Sequence, residues 1–175
     1  AGTDAMEGGT GNDRFVLGSV ADFATGESID GGSGTDTIFY TGLTAGSLVL
    51  SAAVSVDKIT IGTLAGSTAG LGAINVDASA MTVGVTMTGN AGANNLKGSA
   101  TAANVLTGGA GKDTLTGWAG NDDFILASVA HFAAGEVMDG GASAEDELIY
   151  TGGAGTLTLT ATNVLGIEFV TLTNE

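Results

Sequence analysis

Apolar residues recur along the chain two positions after an acid or an amide, and glycine-rich turns separate these short units. The acid or amide positions of the ten units are Asp4, Asp13, Glu27, Asp36, Asn94, Asn104, Asp113, Asp122, Glu136 and Asp146. The apolar positions are Met6, Phe15, Ile29, Ile38, Leu96, Leu106, Leu115, Phe124, Met138 and Leu148. Strands this short cannot build a sandwich. The spacing predicts a solenoid in which two units form one coil, coils stack through parallel β pairing, and the apolar residue points inward.

A longer duplication contains these units. Residues 11–32 match residues 120–141 at a constant offset of 109. The stretches SVADFATG and SVAHFAAG inside the two copies predict short helical turns. Between the copies, SLVLSA, DKITIG, AINVDASA and VGVTMTG are rich in Val, Ile and Thr and predict short strands. We therefore expect one continuous solenoid, a fragment of a larger protein, with a first roll copy (1–46), a strand-rich connector (47–88), a second roll copy (89–150) and closing strands (151–175).

Composition narrows the class of partner. The chain has 19 Asp and Glu against 4 Lys and Arg, a net charge of −15. This balance argues against nucleic acid and anionic membrane surfaces and favours cations. The absence of cysteine excludes disulfides, thiolate metal sites and a cysteine nucleophile. No apolar run is long enough for a membrane span, and a hydrophobic fraction of 43% argues against disorder.

Stacked coils bring like charges together. Alternate turns lie on the same side of a solenoid, about 4.8 Å apart. Two carboxylates at roughly 5 Å repel by about 3 kcal/mol at an effective dielectric near 20. A hard divalent cation between the turns would remove this repulsion, and oxygen ligands on flexible glycine turns suit Ca²⁺ better than Mg²⁺. The predicted pairs are Asp13 with Asp36, Asp113 with Glu136, and Asp122 with Asp146.

Four nonapeptides carry a family resemblance. GGTGNDRFV, GGSGTDTIF, GGAGKDTLT and GWAGNDDFI resemble the RTX (repeats-in-toxin) motif G-G-x-G-x-D-x-U-x. The fourth departs from it, because Trp118 replaces the second glycine. The strand-rich segments resemble those of bacterial RTX S-layer proteins and large adhesins. The resemblance implies an all-β, right-handed parallel β-roll with calcium between Gly–Asp turns, type I secretion, and folding outside the cell.

The resemblance also implies the ligands. The earlier turn of each pair would supply carbonyls from its second and fourth positions, the later turn from its first and third, and each turn its acid. Asn94 and Asn104 would supply an uncharged oxygen to weaker sites, and Asp4 with Glu27 would form a further pair. The complete predicted set is Asp4, Gly9, Gly11, Asp13, Glu27, Gly31, Ser33, Asp36, Asn94, Asn104, Gly108, Gly109, Ala110, Gly111, Asp113, Gly117, Trp118, Ala119, Gly120, Asp122, Glu136, Gly141, Ser143 and Asp146.

Two functions remain open. In the first, the chain would be a calcium-binding structural module of a secreted bacterial surface protein, an S-layer protein or RTX adhesin. Alternatively, it is the C-terminal module of a type I secreted enzyme or toxin, such as a metalloprotease, lipase or epimerase. The sequence contains no HExxH or GxSxG motif, so we do not expect the chain itself to be an enzyme. The expected partners are several calcium ions and either neighbouring copies in a surface lattice or cell-surface polysaccharide.

Two residues that occur once in the sequence suggest functional hypotheses. His131 is the only histidine, and its counterpart in the first copy is Asp22. We therefore expect a solvent-facing position without a catalytic role. Trp118 is the only tryptophan, and it is either a surface aromatic beside a turn or a platform on which a sugar stacks.

Overall fold

The repeat units form short strands because each supplies one inward apolar residue between two glycine-rich turns. A computed structural model describes residues 3–65, 67–70, 72–132 and 135–173 of the chain. Every strand pairing in this part of the chain is parallel. The strands stack as a β-solenoid of about seven turns with almost no helix. The predicted fold, an all-β parallel β-roll, is confirmed.

The strands belong to three sheets. The three-stranded sheet contains β1 (Ala5–Glu7), β3 (Ser28–Asp30) and β6 (Val54–Ser55). The six-stranded sheet contains β5 (Gly46–Val49), β8 (Ile74–Asp77), β10 (Asn95–Lys97), β12 (Thr114–Trp118), β14 (Val137–Gly141) and β16 (Val164–Leu165). The eight-stranded sheet contains β2 (Arg14–Leu17), β4 (Thr37–Tyr40), β7 (Lys58–Ile61), β9 (Thr86–Thr88), β11 (Val105–Thr107), β13 (Asp123–Leu126), β15 (Glu147–Tyr150) and β17 (Phe169–Leu172).

The core is built from two ladders of apolar side chains. Since paired strands are in register, each inward residue lies on its equivalent in the next coil. One ladder runs through Phe15, Ile38, Ile59, Met87, Leu106, Phe124 and Leu148. The other runs through Leu48, Val76, Leu96, Leu115 and Met138. All of these side chains are buried, and burial alternates along the strands, as expected when one face of each strand packs on the core and the other faces outward. Met6, which lies on the edge strand β1, is only half-buried.

The connector continues the same ladders. Strands β5, β7, β8 and β9 fall in the four segments predicted for residues 47–88, and β6 adds a short fifth strand. The two predicted helical turns are also present, as a 3₁₀ turn at Val20–Asp22 and a one-turn helix α1 at Val129–Phe132. The boundaries of the first roll copy (1–46), the connector (47–88), the second roll copy (89–150) and the closing strands (151–175) stay a prediction. Neither helical turn in the described part of the chain is long and apolar enough to cross a membrane.

Candidate metal centre

A ladder of carboxylates runs along the turns. Several of these acids reach back one coil and accept a hydrogen bond from the backbone N–H of the equivalent residue. Asp36 Oδ1 accepts from Asp13 N at 2.8 Å, and Asp146 Oδ1 accepts from Asp122 N at 2.8 Å. In the same way Asp113 Oδ1 accepts from the backbone of Asn94 at 2.7 Å. The in-register stacking of the turns therefore fixes these three carboxylates through one of their two oxygens.

Five acids of the turns each bury one carboxylate oxygen that has no hydrogen-bond partner among the described residues. Burying a carboxylate oxygen without a partner is costly, and native proteins rarely leave one so. A hard cation removes that cost because it accepts several oxygen ligands at once. The oxygens concerned are Asp13 Oδ2, Asp113 Oδ2, Asp122 Oδ2, Glu136 Oε2 and Asp146 Oδ2.

Burial shifts the titration of the acids in the second copy. It raises the pKa of Asp113 to about 6 and the pKa of Asp122 to about 6. For Glu136, burial and then the charge of neighbouring Asp113 raise the pKa to about 8. Burial also raises the pKa of Asp146. The folded protein therefore disfavours the ionised form of these carboxyl groups unless a positive charge lies beside them, as expected of cation ligands.

Glycine permits the close approach of the turns. A Cβ atom at Gly32 would overlap the carbonyl oxygen of Gly9, and one at Gly34 would overlap that of Gly11. Both later glycines also have positive φ, 88° and 136°, a conformation that L side chains rarely adopt. The carbonyls of one turn therefore face the next turn directly.

The structure brings the six predicted ligands of the first pair together. The turns are bridged at Thr10 and Ser33. Ser33 N donates to Gly9 O at 2.8 Å, and Gly11 N donates to Ser33 O at 2.8 Å. Each carbonyl oxygen keeps a second lone pair for a cation. The carbonyls of this pair therefore lie at the interface between the turns, where Asp13 N donates to Asp36 Oδ1.

The two acid pairs of the second copy are also adjacent. The register of β12 with β14 sets Asp113 beside Glu136, and Val137 N donates to Asp113 O at 2.9 Å. The register of β13 with β15 sets Asp122 beside Asp146. Trp118 O, predicted as a ligand here, accepts a hydrogen bond from Ala142 N at 2.8 Å.

The remaining predicted glycines lie around these acids. A Cβ at Gly108 would contact Asp113 Oδ2, and one at Gly117 would meet Asp122 Oδ2. Gly109, Gly111, Gly120 and Gly141 have positive φ and form the turns. Ser143 donates to Asn121 Oδ1 and Gly31 N donates to Ser55 O. Ala110 and Ala119 occupy the third position of their turns, where Ala110 is half-buried and Ala119 exposed.

The two asparagines lie in the ladder but present different atoms from those expected. Asn104 Oδ1 accepts from Ser99 N at 2.8 Å, while Asn104 Nδ2 donates to Asp122 Oδ1 at 2.8 Å and to Ala102 O at 2.7 Å. Asn94 Nδ2 donates to Ile74 O at 2.7 Å. The side-chain N–H groups of Asn104 thus contact the carboxylate and carbonyl oxygens that a cation would otherwise bind.

The pair at the N-terminal edge differs from the others. Ser28 N donates to Asp4 O at 3.1 Å, so Asp4 and Glu27 are neighbours. Asp4 is exposed, however, and Glu27 Oε2 accepts a hydrogen bond from Ala24 N at 2.7 Å in its own loop. Glu27 is therefore satisfied locally, without the unpartnered oxygen that marks the other acids.

Two members of the ladder escaped the sequence prediction. Asp57 Oδ2 accepts from Asp36 N at 2.7 Å, and Glu168 Oε2 accepts from Asp146 N at 3.1 Å. Both acids are followed two positions later by an apolar residue of the ladder, the buried Ile59 and the exposed Val170, which is in register with Leu148. The same spacing that identified the ten units would have found them, but Asp57 follows no glycine turn and Glu168 follows a turn with the single glycine Gly166.

The positions of the acids in the turns allow one kind of ligand set for a cation. Within the described ranges, no three His, Cys, Asp or Glu side chains converge on one point. A cation between two turns would therefore use two acids and complete its shell with backbone carbonyls. An oxygen-only shell of this kind fits Ca²⁺.

Comparison with protein families agrees with this geometry. Residues 1–24, 26–42 and 100–128 match the model of the RTX calcium-binding nonapeptide repeat, in four copies. These segments are RTX repeats, as the resemblance implied, and RTX repeats indicate a calcium-binding module of secreted proteins. The comparisons with curated proteins and with solved structures gave no match.

Proposed function

We propose that the chain is a structural module of a secreted bacterial surface protein, an S-layer protein or RTX adhesin, that folds on extracellular calcium. The observation that carries the proposal is the connector. Strands β5, β7, β8 and β9 lie between the repeat blocks, yet they extend the same sheets. An RTX tail that only assists secretion of an enzyme needs an uninterrupted roll, whereas a structural rod gains length from additional coils.

The buried acids support calcium as the folding trigger. Asp113, Asp122 and Asp146 are fully buried, and Glu136 is 1% exposed. Bound calcium would supply the positive charge that lets these carboxylates ionise between the coils. No such site exists in an unfolded chain, so binding and folding form one process. A ligand specific to the native state stabilises it by about 2.7 kcal/mol per site at a hundredfold excess over its Kd.

The proposal assigns no catalytic role to the chain. His131, the only histidine, is half-buried on α1. In the first copy Asp22 takes its place and caps the 3₁₀ turn. A position that caps a turn in one copy has a structural role there, which supports a structural reading in the other.

Calcium dependence is tested by circular dichroism. Chelation should remove much of the β signal, millimolar Ca²⁺ should restore it, and Mg²⁺ should restore it poorly because it demands tight octahedral geometry. If the chelated protein keeps its full β spectrum and its melting temperature, folding does not depend on calcium. The chain is then a solenoid held by its hydrophobic core alone.

The kind of parent protein is tested on the full-length gene product. Further solenoid sequence, and calcium-dependent sheets or reattachment to stripped cells in electron micrographs, would support the surface protein. A catalytic motif in the flanking sequence would instead assign the chain to a secreted enzyme.

A further inference from the structure

Trp118 has a backbone conformation that is adopted by glycine at the equivalent position of other turns. Its φ is 80°, and it is the only non-glycine residue with positive φ in the described part of the chain. The equivalent second positions are Gly9, Gly32, Gly109 and Gly141, with φ of 95°, 88°, 97° and 104°. A large side chain in this region strains the backbone, and such strain is often kept where a side chain has a function.

The indole ring borders a cavity on the outer face of the six-stranded sheet. The cavity has a volume of about 490 Å³, within the range of small-ligand sites. Trp118 is 42% exposed, and its register partner on β14 is Gly141, which has no side chain to cover the ring. Ala119 and Ala142 also line the cavity, so the apolar surface beside the ring stays open.

Polar groups of both signs line the cavity beside the ring. Strand pairing sets Lys97, Thr116 and Asp139 side by side on β10, β12 and β14, and all three line the cavity. Lys97 is fixed by an ion pair with Asp77 at 3.3 Å. The row thus offers a cationic donor, a hydroxyl and a carboxylate acceptor in sequence.

We propose that this cavity binds a neutral saccharide, with one sugar ring stacked on Trp118 and its hydroxyls on Lys97, Thr116 and Asp139. An apolar ring face with polar edges suits an exposed indole flanked by donors and acceptors. A lysine and an aspartate at the same cavity oppose a ligand of either net charge. The inference holds for a surface protein and for an enzyme module alike, so it does not rest on the proposed function.

The test uses the calcium-loaded chain and neutral oligosaccharides, cellohexaose and maltohexaose. Because Trp118 is the sole tryptophan, its fluorescence reports the site directly. We expect a saturable change at millimolar sugar. By calorimetry, Trp118→Gly should weaken binding at least tenfold, Trp118→Phe less, and Asp139→Ala several-fold. Phe169→Ala removes an exposed aromatic from another sheet and should leave binding unchanged.

Three outcomes would overturn the proposal. The first is no saturable response to either oligosaccharide. The second is sugar binding that survives Trp118→Gly in a variant whose calcium-bound circular dichroism matches the parent. The third is saturable binding of choline, tested in parallel, without binding of either sugar, which would make the cavity a cation site.

Discussion

Replacing Glu136 by glutamine should change stability in opposite directions with and without calcium. Glu136 is 1% exposed, its Oε2 has no partner among the described residues, and Asp113 is its neighbour. Glutamine keeps the shape and removes the charge. Without calcium the variant escapes the cost of a buried anion, whereas with calcium it lacks one carboxylate ligand.

The magnitude follows from the pKa of Glu136, about 8 in the folded protein against an ordinary 4.5. Each pKa unit corresponds to about 1.4 kcal/mol, so Glu136 lowers the free energy of unfolding by roughly 5 kcal/mol above pH 8, where it is ionised, and by roughly 3 kcal/mol at pH 7, where it keeps its proton. The folded protein holds the proton more tightly than the unfolded chain. The free energy of unfolding of the calcium-free protein therefore falls as pH rises from 4.5 to 8.

The assay is the β signal of calcium-depleted protein between pH 5 and pH 9. The wild-type signal should recover as the pH falls, and Glu136→Gln should recover at higher pH and depend less on pH. Calorimetry should then show one calcium fewer for the variant. Glu7→Gln makes the same change of charge at an exposed position and serves as the control.

Two results would refute this reasoning. If Glu136→Gln and Glu7→Gln have the same pH dependence, the buried charge at position 136 is not the obstacle to folding. If Glu136→Gln binds calcium with unchanged stoichiometry, that carboxylate is not a ligand.

Three further variants test the ladder and the strained turn. Replacing Asp13 and Asp36 by alanine should remove one calcium and loosen the first copy only, because coils couple mainly to their neighbours; unchanged stoichiometry in calorimetry would disprove the pairing. Asn104→Asp should add one calcium beside Asp122 and, without calcium, lower the free energy of unfolding by about 3 kcal/mol; a variant of parental stoichiometry would argue against a latent site. Trp118→Gly should raise the free energy of unfolding in calcium by about 1 kcal/mol, since it relieves positive φ; urea denaturation that shows no gain would mean that the ring's contacts offset the strain.

The fold was predictable because one spacing controls it. An acid followed two positions later by an apolar residue fixes both the inward direction and the register, so β2, β4, β13 and β15 follow from the sequence. Asp57 and Glu168 were missed because the prediction required a glycine-rich turn in addition to the spacing of acid and apolar residue. A carboxylate needs only the right register to accept the N–H of the previous coil, whereas glycine is needed only where turns approach closely.

The atoms presented by the ladder were less predictable. An asparagine in an acid position supplies either an oxygen or an N–H, and the neighbours decide which. Around Asn104 the nearby Asp122 Oδ1 and Ala102 O are both acceptors, so the amide nitrogen turns toward them. Ala102 lies in the same turn as Asn104, whereas Asp122 lies in the next turn. The contact with Asp122 therefore exists only after the coils stack.

The asparagines also mark where buried charge ends. The acid column that contains Asp122 passes through Asn104 to Val85, whose N–H donates to Asn104 Oδ1 at 3.3 Å. The other column passes through Asn94, whose Nδ2 donates to Ile74 O. Toward the connector, a carboxylate is thus replaced first by an amide and then by an apolar residue.

Coils at the connector carry hydrogen bonds that need no cation, so they should outlast the acid-paired coils when calcium is removed. Because a solenoid is coupled mainly between neighbours, loss of the acid-paired coils need not unfold β8 to β11. Hydrogen exchange under chelation should show protected amides in β8 to β11 and fast exchange in β12 to β15. Equal exchange throughout would mean that the solenoid unfolds as one unit and that the amide-bonded coils have no stability of their own.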